Sequence, residues 1–135
     1  MNRTAFVLAL LITAGARGET GGGGPAPHLT VRDGAVSVDG HLASATIHHV
    51  VHEHFGTFRA CYDMWFQRDP TLRGSVAVSF VIDASGAVVS ATDGGSHIAS
   101  NPMRECVIRQ FKSLRFPQPS AGAVNVTYAV IFRHP

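Results

Sequence analysis

From Ser44 onward apolar residues recur at intervals of three and four, at Ile47, Val50, Val51, Phe55, Phe58, Tyr62 and Trp65, with His48, His52, Glu53, Arg59 and Asp63 between them. That spacing predicts an amphipathic helix. Ser44 is its expected N-cap, and Pro70, which disfavours the helical conformation at Asp69, ends it near Arg68. The period then changes to two. Val76, Val78, Phe80 and Ile82 fall on one face of a strand, Asp83-Ala84-Ser85-Gly86 supplies a turn with Gly86 where a positive φ is needed, and residues 87–92 return as a second strand.

Asn101-Pro102 predicts the cap and first turn of a second helix. Its apolar stripe is Met103, Cys106, Val107, Phe111 and Leu114, and Phe116-Pro117-Gln118-Pro119 stops it. Val124, Val126, Tyr128, Val130 and Phe132 then alternate with Asn125, Thr127, Ala129 and Arg133 in a last strand. Near the start, the short alternating runs 29–32 and 35–38 flank Asp33-Gly34, a tight-turn dipeptide, so a small N-terminal hairpin is expected. Helix, strand, strand, helix, strand, each strand buried mainly on one side, gives an α+β fold of two layers. An antiparallel sheet of about three strands, plus the hairpin, carries both helices on one face.

The first 28 residues follow a different pattern. Arg3, the apolar run 5–14 and the small residues Ala14-Gly15-Ala16 read as a cleavable signal peptide, residues 1–16. The apolar stretch is about 10 residues, where a spanning helix needs about 20, so no retained membrane span is expected. Residues 17–28, rich in Gly and Pro, form a flexible leader, and 29–135 a single domain. The expected compartment is periplasmic or secreted.

Charge excludes one class of partner. Lys plus Arg total 11 against 9 for Asp plus Glu, and Arg3 leaves with the signal; no clustered basic face remains to neutralise phosphates, so no nucleic acid is expected. At 45% hydrophobic and 15% charged, the composition is that of a packed globule.

Cys61 and Cys106 are an even count in a chain read as exported, which admits a disulfide; two buried thiols that never meet are the alternative.

Several ordered motifs run together: Arg59-Ala60-Cys61-Tyr62-Asp63, Asp69-Pro70-Thr71-Leu72-Arg73-Gly74, the strand 76–82 with Gly86-Ala87-Val88, Glu105-Cys106-Val107 and Phe116-Pro117-Gln118-Pro119. Over about residues 40–133 the chain thereby resembles the AgmX/PglI C-terminal domain family of gliding, predatory bacteria, whose members resemble the C-terminal domain of TonB. The resemblance implies a TonB-like α-β-β-α-β order, a Cys61–Cys106 disulfide, no catalytic residues and an interaction role. TonB-type transducers keep a membrane anchor and a proline-rich spacer. This chain has a cleavable signal and a glycine leader instead, and Leu114-Arg115 where the family often has Trp before Phe-Pro.

The candidate chemistry is a histidine cluster. His48, His49, His52 and His54 crowd the first helix after His41, and His48 and His52 have the i, i+4 spacing at which two imidazoles share a metal ion. Two ligands make a weak site, and a third would have to come from His54, Glu53 or elsewhere. The string His48-His49-Val50-Val51-His52-Glu53-His54 matches neither zinc-peptidase order. A solvated helix face is the competing reading, in which protonation below about pH 6.5 adds positive charge and tunes partner binding.

None of Ser79, Ser85, Ser90, Ser96, Ser100 and Ser113 stands in a Gly-x-Ser-x-Gly elbow, and Gly94-Gly95 lacks the Lys-Ser/Thr of a phosphate loop and reads as a turn. Trp65 and Phe66 read as core and rim. No enzyme and no cofactor are expected. The expected function is an exported protein-interaction module for an envelope, transport or motility assembly. It would pair with an envelope protein or a second copy through a sheet edge, either the last strand or the N-terminal segment. The alternative is an exported metal-binding protein using His48, His52 and His54.

Overall fold

A computed structural model describes residues 28–135; the expected signal peptide and all but the last residue of the leader lie outside the described residues. The elements run β1 (Thr30–Asp39), α1 (Ser44–Glu53), α2 (Phe55–Phe66), β2 (Gly74–Ile82), β3 (Val88–Asp93), β4 (His97–Ile98), α3 (Asn101–Lys112) and β5 (Val124–Arg133). The fold is α+β, with an antiparallel sheet in the order β1-β5-β2-β3 and β4 pairing with the start of β2.

The alternation along β2 and β5 explains the layers. Val76, Val78, Phe80 and Ile82 of β2, with Val124, Val126, Tyr128, Val130 and Phe132 of β5, turn one way and are buried. Against them pack Ile47 and Val51 of α1, Phe58 and Tyr62 of α2, and Met103, Val107 and Phe111 of α3. Phe111 sits at the centre, its ring 5.0 Å from Phe58, 5.3 Å from Phe80 and 6.0 Å from Tyr128. The opposite face presents small and polar residues, among them Ser79 and Thr127, whose hydroxyls stand 3.2 Å apart.

Four expectations change. The N-terminal hairpin is instead one strand: β1 runs unbroken from Thr30 to Asp39 along β5, and its register shifts between Asp33 and Val36, pairing Asp33 with Val130 but Val36 with Tyr128. One extra residue on β1 makes a bulge there. Gly34 permits it, because a Cβ at this position would lie 2.9 Å from Ala129 Cβ.

The expected first helix is two. At His54 the backbone leaves helical geometry (φ −106, ψ 8), and the His54 ring takes over the Val50 carbonyl with Nδ1 at 2.9 Å while its own amide donates to Val51 O at 3.0 Å. A side chain thus replaces the i−4 backbone bond, and Gly56, the poorest non-proline helix former, lies two residues on, in the first turn of α2.

The caps also shift by one residue. Ala43, not Ser44, holds the N-cap position of α1, with no side-chain cap bond, and Ser100, not Asn101, caps α3 by accepting the Met103 amide at 3.2 Å. The fourth change is the strand count. A β4 of only two residues carries too little pattern to read in sequence; its place is set by pairing Gly74 with Ile98 and Ser75 with His97.

Other elements follow the pattern closely. Between β2 and β3, Asp83 Oδ1 accepts from the Ser85 and Ala87 amides at 2.9 and 3.1 Å, and Gly86 has φ +90. Gly86 also passes so close to Phe116 that a Cβ would stand 2.0 Å from its carbonyl oxygen. Cys61 of α2 and Cys106 of α3 are brought together as a disulfide, Cα atoms 5.9 Å apart. Among the described residues no helix is long and apolar enough to cross a membrane.

Candidate functional site

The β1 bulge resets the parity of the strand. Val31 and Asp33 face the helices before it, and Val36 and Val38 after it, as their partners Phe132, Val130, Tyr128 and Val126 show. Asp33, the last inward-facing residue before the bulge, thus turns a carboxylate toward α1 from a position between apolar neighbours. There Asp33 meets His48 and His52, which successive turns of α1 place on one side of the helix.

The two carboxylate oxygens have separate partners. Oδ1 accepts the hydrogen bond of the Tyr128 hydroxyl, which rises from the middle of β5. Oδ2 faces the imidazoles: His52 Nε2 donates to it, and His48 Nδ1 stands 3.5 Å away. His48 Nδ1 also lies 3.0 Å from the Tyr128 hydroxyl oxygen. The rings of His48 and His52 meet edge to face at 5.8 Å, and Phe55 packs against His52 at 4.6 Å. Tyr128 is fully buried, while the Asp33, His48 and His52 side chains are 26%, 35% and 49% exposed, so the cluster opens to solvent on the histidine side.

Electrostatics favour an ionised Asp33. Burial alone would raise its pKa, but the hydrogen bonds from Tyr128 and His52 and the charges of His52 and His48 outweigh burial and hold it below the usual carboxylate range. Tyr128 moves the other way. Burial, then the bond to Asp33 and its negative charge, push the phenol far above its ordinary value, so it stays a donor.

Of the histidines singled out in sequence, His48 and His52 come together and the others do not. His54 is turned away onto Val50 O, and His49 pairs with Glu53 at 2.9 Å on the exposed face, with side chains 75% and 59% exposed. Asp33, read in sequence as a turn residue, is the member that was missed. The signal for it is the switch of apolar positions from Val31 to Val36 and Val38, odd to even, which a bulge produces as readily as a hairpin.

Five of the six serines singled out in sequence have other partners. Ser79 bonds Thr127, Ser85 and Ser96 bond the turn carboxylates of Asp83 and Asp93, Ser100 caps α3, and Ser113 donates to Gln110 O. Among the described residues no serine hydroxyl is hydrogen-bonded to a histidine ring. Trp65 and Phe66 are half-buried rim residues, with Arg68 lying 4.9 Å over the Trp65 ring.

The second feature of the site is the edge itself. β5 is enclosed between β1 and β2, so the last strand is not a free edge. Among the described residues β1 pairs on one side only, along β5. At the opposite edge β3 is shorter, and beside its start Ala87 bridges to Arg115 while the Phe116 amide donates to Gly86 O at 2.9 Å. Compared with protein-family models, curated proteins and solved structures, the chain matches none.

Proposed function

We propose that this chain is a non-enzymatic exported binding module of the AgmX/PglI C-terminal, TonB-like type. It works in the periplasm or outside the cell by pairing a strand of an envelope partner, or of a second copy, with the outer edge of β1. The observation that carries this reading is the ten-residue β1, paired with β5 alone among the described residues. Such an edge offers a row of amides and carbonyls to an incoming strand, and flanking side chains give selectivity. The disulfide-bonded pair Cys61–Cys106 and the lack of a spanning helix among the described residues are compatible with work in an oxidising compartment. The ordered motifs across residues 40–133 supply the family side of the reading.

The test is site-specific photo-cross-linking in cells, with the reactive residue at Ser37 on β1, at Thr92 on β3 and at Arg59 on α2. Adducts to one envelope protein or to a second copy, formed from Ser37 and absent from Arg59, are expected. Adducts from Thr92 alone would move binding to the other edge, and no discrete adduct from any position would end the pairing reading.

A further inference from the structure

We propose that Asp33, His48 and His52 form a binding site for a divalent transition-metal ion such as zinc, with Tyr128 as the residue that orients the carboxylate. The chemistry of the set fits. Two imidazoles and one carboxylate are borderline-to-hard donors that suit Zn²⁺ and its neighbours, and three protein ligands leave a fourth position for water or a partner's side chain.

The geometry is close to what such an ion requires. Each of the three residues has a ligand atom within 4.8 Å of the others. Ligands about 2.0–2.2 Å from a tetrahedral ion stand about 3.3 Å apart. Asp33 Oδ2 and His48 Nδ1 already have that spacing, at 3.5 Å. His52 now donates directly to the same oxygen, so the ion replaces the proton shared by His52 and Asp33, and the two side chains part slightly to admit it. Since His52 is the most exposed of the three, it has room to do so.

Two further features distinguish this cluster from an ordinary polar patch. Tyr128 holds Oδ1, leaving Oδ2 as the oxygen aimed at both imidazoles, the outer-shell arrangement that fixes metal-binding carboxylates. And the ligands come from two elements, β1 just before its bulge and one face of α1, so the bound ion would clamp the edge strand to the helix beside it. The site does not rest on the strand-pairing reading, and either can fail alone.

Metal-free protein titrated with Zn²⁺ by calorimetry, and with Co²⁺ by its visible absorption, provides the test. One saturable equivalent is expected, with the intense visible bands of tetrahedral cobalt. Asp33→Asn, His48→Ala and His52→Ala should each weaken binding at least about tenfold, Tyr128→Phe about tenfold, and His49→Ala and His54→Ala less than about twofold. Circular dichroism reports whether each variant is folded. Independently of any variant, imidazole nitrogen NMR shifts of the unaltered chain should move selectively at His48 and His52 on adding Zn²⁺. No saturable binding, shifts centred on His41 or His49, or equal loss with His49→Ala would overturn the proposal.

Discussion

The hydroxyl of Tyr128, in the central strand, donates a hydrogen bond to the carboxylate of Asp33, beside the bulge of the edge strand, across 95 residues of sequence. The buried phenol thereby compensates a charge that would otherwise be poorly placed among apolar neighbours. Tyr128→Phe keeps the ring and removes the donor, and a bond to an ionised acceptor is worth about 1.5–3 kcal/mol. A loss of about 2 kcal/mol in urea unfolding is expected, with an unchanged denaturant slope. A change under about 0.5 kcal/mol would mean that water or His48 satisfies Asp33 equally well.

Gly34 allows β1 to approach β5 at the bulge. Gly34→Ala places a Cβ 2.9 Å from Ala129 Cβ and 3.3 Å from the Ala129 carbonyl oxygen, and should destabilise by about 1–3 kcal/mol through overpacking. Adding Ala129→Gly removes the shorter contact and should restore part of that loss, so a double-mutant cycle reads the coupling directly. Strict additivity would place the strain elsewhere.

The disulfide closes a separation of 45 residues between α2 and α3. On loop-closure entropy, its removal by Cys61→Ala with Cys106→Ala should cost about 4 kcal/mol, a large share of a small domain's stability. Thermal melts with and without a reductant, compared with the double variant, check this; equal melting temperatures in all three would deny the bond a stabilising role.

Acid should destabilise the fold. The Ser85 hydroxyl first, with the Ser85 and Ala87 amides, holds the Asp83 carboxyl below its ordinary value, and the Ser96 hydroxyl, with nearby amides and Arg104, does so for Asp93. A carboxyl depressed in the folded state adds stability above its unfolded value, about pH 4, and loses it as pH falls through the lower folded value. Melting temperatures should therefore drop between about pH 4 and 2. Asp83→Asn with Asp93→Asn should be less stable at pH 6 and flatter across that range; an unchanged slope would assign the acid sensitivity to other groups.

Wherever one face of an element is buried over several residues, the pattern of the chain is legible. Val76 to Ile82, Val124 to Phe132 and Met103 to Phe111 each carry enough period to fix type, face and approximate ends. Where a local device interrupts the period, sequence alone leaves two answers. Asp33-Gly34 suits a turn or a bulge equally, and only the pairing partners Val130 and Tyr128 decide. His54 breaks a helix through a hydrogen bond that composition does not announce. The candidate site was half legible for the same reason: His48 and His52 share a helical spacing, whereas Asp33 joins them through tertiary pairing with a strand about 95 residues away.

The strand order has a consequence for how the molecule assembles. β5 lies between β1 and β2, so the two halves of the sheet cannot join until the residues from Val124 onward are present. The β2–β3 hairpin and the link between α2 and α3 involve only earlier residues and can form first. β1 then waits, its inner edge as bare as its outer one, for a strand that arrives last and pairs along both flanks. Until then the nascent chain is most exposed to the wrong partner, because the edge that β5 covers in the folded protein is still bare.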